Sequence, residues 1–265
     1  MGLSAKHAAV GARTVKTGLS RWFVGYKKHS LRLWLPQRRD AVLLVPLMSW
    51  IAPANRGDVL FLEPSLRYIR RHLNFTPSFV VADMAYINFE MQARLRQQMQ
   101  VGVITALPAN YDLPQKVAPA LMLQCAQGQK LQWLGLDEAD QLHWFGVAPE
   151  SQPLCPWCWQ ASSCPREFSF SPTDHEIALG TIPVNTLLAR KILRQSRSWI
   201  EAAQSYEKNQ LGLSFMFLNS LRLTAILGLL ADTASLLRAH AFLCEDTQPN
   251  LLMEMMPNQL KLDFW

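Results

Sequence analysis

The stretch Phe79-Val-Val-Ala-Asp-Met-Ala-Tyr86 decides the fold class. An uninterrupted apolar run leads directly to Asp83, which is the first charged residue of the stretch. A short run of this kind is typical of a strand that is buried on both faces, as in a parallel sheet. Functional side chains in such sheets lie at the carboxyl ends of the strands. Asp83 is therefore a candidate functional residue.

Strand and helix patterns alternate on both sides of this stretch. Residues 21–35 and 41–51 are rich in aromatic and branched side chains and predict two strands joined by a turn. Residues 59–73 and 87–99 repeat apolar side chains at helical spacing, and residues 100–107 predict another strand. This order predicts an α/β fold.

The second half of the chain differs in composition and in periodicity. From about residue 108 to 172, prolines are frequent and no helical period is evident, which predicts an inserted subdomain of short strands. Asn185 is placed to cap a helix that continues through Lys208, and residues 213–243 predict one or two further helices. We therefore divide the chain into a first core part, an insertion, a helical core part and a loose tail, over residues 1–109, 110–178, 179–245 and 246–265.

The charge of the chain favours a polyanionic partner. Its net charge is +6, and nine basic residues precede the first acidic residue, Asp40. Charge alone does not separate a nucleic acid from an acidic membrane surface, but a purely basic stretch is typical of a surface that contacts a nucleic-acid backbone, and we expect Lys27 and Lys28 to be among the contacts. The nine are Lys6, Arg13, Lys16, Arg21, Lys27, Lys28, Arg32, Arg38 and Arg39.

The chain is expected to be cytoplasmic and to have no membrane partner. No apolar run of signal-peptide length follows the early basic residues. The most hydrophobic stretch, residues 211–243, is interrupted by Arg222, Asp232 and Arg238, so we interpret it as a buried helix.

A row of charged residues lies in the segment from Arg197 to Lys208. Arg197, Glu201 and Lys208 are at positions i, i+4 and i+11, so a continuous helix projects all three from nearly the same face. Spacing alone also fits a solvent-exposed stripe of ion pairs.

These residues resemble a signature of DDE-type insertion-sequence transposases, in which an Arg, three residues, a Glu, six residues and a Lys surround the catalytic glutamate. The segment VVADMAYIN, with Asp83 and Tyr86, is similar to the strand that carries the second aspartate of that family. GYKKH at residues 25–29 and APANRGD at residues 52–58 also resemble family segments. One element departs from the signature, because the usual Tyr is replaced by Arg194.

The resemblance implies an RNase H-like core, interrupted by a mostly β insertion before the glutamate helix, that cleaves and joins DNA. It implies that Asp83 and Glu201 are catalytic and bind Mg²⁺ or Mn²⁺, while Arg197 and Lys208 bind DNA. The implied partners are the element ends and the target DNA, with a homodimer in the transposition complex. The implied location is the nucleoid of a bacterial cytoplasm.

The first catalytic aspartate of the family has no counterpart here. No acidic residue precedes Asp40, and Asp40 and Asp58 are not convincing substitutes. We expect that the first strand is missing through truncation or decay of the reading frame, and that the chain as written is catalytically silent.

Three cysteines form a second constellation, in the segment LCPWCWQASSC. Cys155 and Cys158 have the spacing of a zinc knuckle, and Cys164 is a third candidate ligand for a structural Zn²⁺. Cys125, His143 and His175 are alternatives for the fourth ligand, and plain thiols in a turn fit equally well. Two other functions remain open, namely a catalytically inactive DNA-binding remnant and a zinc-stabilised interaction protein.

Overall fold

The computed structural model describes residues 9–14, 20–36, 42–108, 111–112, 114–137, 139, 141–159, 162–213 and 220–246. The fold is mixed α/β, as the sequence predicts. Two compact units are present: unit 1 contains residues 1–55 and 203–265, and unit 2 contains residues 56–202. The predicted C-terminal tail and the basic residues Lys6, Lys16, Arg38 and Arg39 lie outside the described residues.

Unit 1 contains an antiparallel sheet in the order β1 (Ala9–Thr14), β2 (Ser20–Pro36) and β3 (Val42–Pro53). The two strands predicted from aromatic and branched side chains are confirmed as β2 and β3. The part of β2 from Tyr26 to Pro36 pairs with the whole of β3, with an irregularity between Leu31 and Arg32. Such an irregularity bends the strand locally and changes which side chains share a face.

The helix α5 (Leu221–Asp246) packs on β3 through small side chains. A β-carbon added at Gly228 would lie 3.0 Å from Ile51 Cδ1, so the helix approaches the strand closely. The prediction that this helix is buried is therefore wrong. Because the helix lies close to β3, only small side chains fit between them, and most of the large apolar side chains are exposed to solvent. The buried positions are Thr224, Gly228, Ala231, Asp232, Ser235 and Ala239, and the exposed ones include Leu223, Leu229, Leu230 and Leu237.

The helix α5 is also long and apolar enough to cross a membrane by length and composition, over Leu221–Cys244. Only 28% of its most apolar window is buried. One helix that passes this test is weak evidence of a membrane span. The expected absence of a membrane partner stays a prediction.

Unit 2 begins with a 3₁₀ turn at Asp58–Phe61 and helix α1 (Leu62–Leu73). Strand β4 (Phe79–Val81) follows and pairs in parallel with β5 (Gly102–Ile104). The connection between them contains α2 (Phe89–Arg94), which continues into a π-helical turn over Leu95–Met99. The predicted strand–helix–strand order is therefore confirmed around Asp83.

The predicted insertion contains an antiparallel sheet of β6 (Leu131–Asp137), β7 (Leu142–Val147) and β8 (Glu167–Phe170), preceded by the short helix α3 (Ala118–Met122). Phe145 and Phe170 pack edge to face at the centre of its core, 5.8 Å apart. The core also includes Leu179 and Val184, which follow the insertion in the chain.

Helix α4 (Leu187–Asn209) is continuous through the row of charged residues. The prediction of Asn185 as its cap is wrong. Thr186 Oγ1 instead accepts a hydrogen bond from Ala189 N at 3.2 Å, while the Asn185 amide donates to the carbonyl oxygen of Leu121. The division between units 1 and 2 falls within α4, after Ala202. The four predicted domain ranges stay a prediction.

Candidate functional site

Asp83 lies directly beyond the carboxyl end of β4. The backbone N–H of Ala82 donates to the carbonyl of Ile104 at 3.0 Å, which extends the pairing of the two parallel strands up to the aspartate. Asp83 then caps a short 3₁₀ turn, because its Oδ1 accepts a hydrogen bond from Ala85 N at 2.9 Å. The residue is exposed. A carboxylate is thus fixed at the strand end and open to solvent.

Tyr86 connects Asp83 with a second carboxylate. Burial raises the pKa of Tyr86, and the negative charges of Asp58 and Asp83 raise it further. The 3₁₀ turns that contain Asp58 and Tyr86 are in contact. Asp58 is not a convincing catalytic residue by sequence, but the structure places both carboxylates within electrostatic reach of one phenol.

A row of exposed charged side chains runs along α4. At 3.6 residues per turn, its members fall within about 60° of one another around the helix axis. Arg197 Nε donates to Glu201 Oε1 at 2.9 Å, and 80% and 61% of these two side chains are exposed. We call this set the α4 row; its members are Arg190, Arg194, Arg197, Glu201 and Lys208, and all five are exposed.

The α4 row includes two cations that the sequence analysis missed as site candidates. Arg190 was not singled out, and Arg194 was seen only as the replacement for the usual Tyr. Both could have been found from their helical spacing to Glu201. With four cations and one carboxylate, the row is strongly basic.

The described residues contain no group of three His, Cys, Asp or Glu side chains that is arranged to hold a metal ion. Asp83 and Glu201 both belong to unit 2, but they do not form such a group with a third residue. Two carboxylates remain chemically suited to Mg²⁺, because this ion is commonly held by one or two carboxylates together with water and substrate phosphates.

Lys28, a predicted DNA contact, is instead held between two carboxylates of unit 1. Its Nζ lies 2.8 Å from Glu207 Oε1 and 2.7 Å from Asp232 Oδ1. Arg32 also binds Glu207, and only 4% of its side chain is exposed. A phosphate contact at Lys28 would require both ion pairs to open. Lys27 is half-buried on the same strand.

A buried ion pair in unit 2 was not anticipated. Glu176, which is 3% exposed, binds the guanidinium of Arg96 at two points. The neighbouring His175 is buried, and its Nε2 lies 3.2 Å from the hydroxyl of Tyr111. Because Nδ1 accepts a hydrogen bond from Ala178 N, Nε2 carries the proton and donates to the hydroxyl. His175 and Glu176 thus link the segment that precedes α4 to Tyr111 and to Arg96.

The three cysteines of the predicted zinc site line one cavity with a fourth, Cys125. Neither His143 nor His175 lines it. The tryptophans beside them, Trp157 and Trp159, are 85% and 77% exposed. Trp157 ends a 3₁₀ segment, Pro149–Trp157, and both tryptophans lie outside the core of the insertion.

Comparison with known proteins identifies no relative. No protein family matches the chain, and no curated protein or solved structure is significantly similar to it. The resemblance to DDE transposases therefore rests on the motifs around Asp83 and Glu201.

Proposed function

We propose that this chain carries part of the RNase H-like catalytic core of a DDE-type insertion-sequence transposase. The observation that carries the proposal is the α4 row, in which the spaced Arg197, Glu201 and Lys208 lie on one face of an uninterrupted, exposed helix. The Arg197–Glu201 ion pair alone also fits a solvent-exposed stripe, and it is the match of the spacing to the transposase signature that favours the catalytic interpretation. The exposed Asp83 at the end of a parallel strand adds a second carboxylate of the expected type.

The basic side chains of the row suit a DNA backbone. Arg190, Arg194 and Arg197 recur every three or four residues, so they follow one edge of the helix over about 10 Å. Arginine binds phosphates with two parallel hydrogen bonds. We propose that these three residues and Lys208 position DNA, with Lys27 as a further contact.

The acidic side chains suit a divalent metal. We propose that Asp83 and Glu201 bind Mg²⁺ or Mn²⁺, with Asp58 as a candidate further carboxylate because it acts on the same Tyr86 phenol as Asp83. When bound, the metal ions would activate the attacking oxygen and stabilise the leaving oxygen. The roles of the protein are to hold these ligands and to offset phosphate charge with the neighbouring arginines.

The same proposal defines partners and location. DNA at the element ends and at the target would be the partner, with a second copy of the chain in the complex, in the nucleoid of a bacterial cytoplasm. Two alternative functions differ from this proposal in whether the chain binds and cleaves DNA. An inactive remnant would bind DNA without cleaving it, and a zinc-stabilised interaction protein would do neither.

A cleavage assay separates these functions. It measures Mn²⁺-dependent strand cleavage of DNA that carries the sequences flanking the gene. The chain as given and a version that includes the in-frame upstream codons are each tested with Asp83→Asn, Glu201→Gln and, as a matched control, the exposed Glu167→Gln. We expect cleavage to be lost with the first two substitutions and kept with the third, in whichever version cleaves.

Each other outcome contradicts a defined part of the proposal. Cleavage that survives both Asp83→Asn and Glu201→Gln excludes this metal site. DNA binding without cleavage in either version favours the inactive remnant. No DNA binding at all favours the interaction protein.

A second experiment tests the α4 row itself. Arg194→Gln removes a charge from the row, and Lys191→Gln removes one from the same helix about 60° or more away from it. Each phosphate contact contributes about 0.9 to the slope of log K against log salt. We expect Arg194→Gln to lower that slope by about 1 and Lys191→Gln to leave it nearly unchanged. Equal effects would show that the row has no special part in binding.

A further inference from the structure

Four of the five cysteines of the chain meet at one cavity in unit 2. The cavity has a volume of about 220 Å³ and is lined by Cys125, Cys155, Cys158 and Cys164. All four are unpaired and half-buried, whereas Cys244 is exposed on α5. Three thiols from residues 155–164 and a fourth from Cys125, 30 positions earlier, line one space, which is unexpected for a chain in which cysteines serve only as small apolar residues.

The backbone presents these cysteines on tight turns. Cys158 N donates to the carbonyl of Cys155 at 3.0 Å, which closes the C-x2-C turn. Gly128 N donates to the carbonyl of Cys125 at 2.9 Å, and Cys125 N donates to Gln129 O at 2.9 Å. Gly128 has φ +76°, which favours glycine. Two of the three segments at the cavity are thus rigid turns that carry a cysteine at or near their base.

The third segment is tied to the central strand of the sheet. Arg166 follows Cys164 by two residues, and its carbonyl accepts a hydrogen bond from Val147 N at 3.2 Å. Arg166 is also one of the residues that line the cavity. A guanidinium beside four thiols would offset part of the double negative charge that Zn²⁺ and four thiolates carry together.

We propose that Cys125, Cys155, Cys158 and Cys164 bind one structural Zn²⁺, with Cys125 as the fourth ligand. Tetrahedral Cys₄ sites place zinc about 2.3 Å from each sulfur. No three of these side chains are close enough to hold an ion in the described conformation. Binding therefore requires these side chains, and the segments that carry them, to come closer together than they are in the described conformation.

The two histidines considered from the sequence are excluded by their contacts. Both ring nitrogens of His175 are engaged, with Ala178 N and with the hydroxyl of Tyr111. His143 is fully buried, and its Nε2 donates to the carbonyl of Gly180 at 2.9 Å. Neither residue borders the cavity. This inference does not depend on the transposase proposal, because a structural site would stabilise the insertion whatever the chain does.

The site is tested by metal analysis of protein purified under reducing conditions without chelator. We expect about one zinc per chain in the unmodified protein and in Cys244→Ser, and far less in Cys125→Ser and Cys158→Ser. Cobalt in place of zinc should give the charge-transfer and ligand-field absorption of a tetrahedral thiolate site. His143→Gln and His175→Gln should leave that spectrum unchanged.

A labelling experiment covers variants that fail to fold. Alkylation of the unmodified protein with iodoacetamide, followed by mass spectrometry, should modify Cys244 at once and the four cavity cysteines only after chelator is added. Absence of zinc together with equal labelling of all five cysteines would overturn the proposal. The proposal would also be overturned by disulfides that persist among the four cysteines under reducing conditions, or by full zinc content in Cys125→Ser.

Discussion

Glu176 and Arg96, which are 80 residues apart in the sequence, form a two-point ion pair in unit 2. Arg96 Nε lies 2.8 Å from Glu176 Oε2, and its Nη2 lies 2.5 Å from Oε1. The hydrogen bonds to Glu176 raise the pKa of Arg96. The pair joins the π-helical turn that precedes β5 to the segment that leads into α4, so it connects the chain around Asp83 with the chain that carries Glu201.

Removing one partner of this pair should be costly. Glu176→Gln would leave the mostly buried guanidinium of Arg96 without its countercharge, and we expect a loss of about 2–3 kcal/mol in the free energy of unfolding. The matched control is Arg67→Gln, which removes an exposed ion pair with Glu63 and should cost less than about 1 kcal/mol. Urea unfolding followed by fluorescence and circular dichroism measures both. Equal losses would show that the Glu176 pair is no more than a surface contact.

The stability of unit 2 should depend on pH through its buried histidines. Burial lowers the pKa of His143 and of His175, so both are favoured in the neutral form when the chain is folded. Their stabilising contribution is complete above the unfolded pKa of about 6.5 and is lost as pH falls below it. We expect the free energy of unfolding to fall between pH 7 and 5, by at most about 1.4 kcal/mol per pH unit for each proton taken up.

Substitution at His143 isolates its share of this effect. A glutamine amide can donate to the carbonyl of Gly180 in place of Nε2 and does not titrate. His143→Gln should therefore flatten the pH dependence, whereas the exposed His72→Gln should leave it unchanged. An unaltered slope in His143→Gln would mean that other groups set the pH response.

Lys27 and Lys28 offer a matched pair on β2, because neighbouring residues of a strand point to opposite faces. Lys28→Gln leaves Asp232 without its closest cation, since Arg32 Nη2 is 4.0 Å away, and we expect it to lower stability by about 1–3 kcal/mol with little change in DNA affinity. Lys27→Gln should instead weaken DNA binding and lower its salt dependence. Weaker DNA binding in Lys28→Gln without loss of stability would restore Lys28 as the phosphate contact that the sequence analysis expected.

The elements that the sequence predicted well are those set by local pattern. Examples are the long pair β2–β3, the strand that ends at Asp83 and the helix that carries Glu201. Each contains enough residues, or a sufficiently apolar run, for the local pattern to determine its secondary structure. The cap of α4 was assigned one residue too early because Asn and Thr are both good caps. Which of the two caps the helix depends on a tertiary contact, the hydrogen bond from the Asn185 amide to the carbonyl oxygen of Leu121.

The features that the sequence missed arise from long-range packing. Asp58 was set aside, yet the contact between its 3₁₀ turn and that of Tyr86 brings it toward Asp83. Lys28 and Arg32 were grouped with exposed basic residues, but Glu207 and Asp232 lie 175 or more positions away and bury them. Helix α5 has large apolar side chains outside because only small ones fit against Ile51. No local pattern contains this information.

The central claim is that Asp83 and Glu201 belong to one divalent metal site. Iron-mediated affinity cleavage tests it most directly and does not require catalytic activity: Fe²⁺ replaces Mg²⁺ on the chain bound to DNA, and radicals formed with ascorbate and peroxide cut the backbone beside the metal. The account predicts cuts near both Asp83 and Glu201, suppressed by excess Mg²⁺, lost together in Asp83→Asn or Glu201→Gln, and retained in Glu167→Gln. Cuts at only one of the two segments, or cuts that persist in both variants, would contradict it.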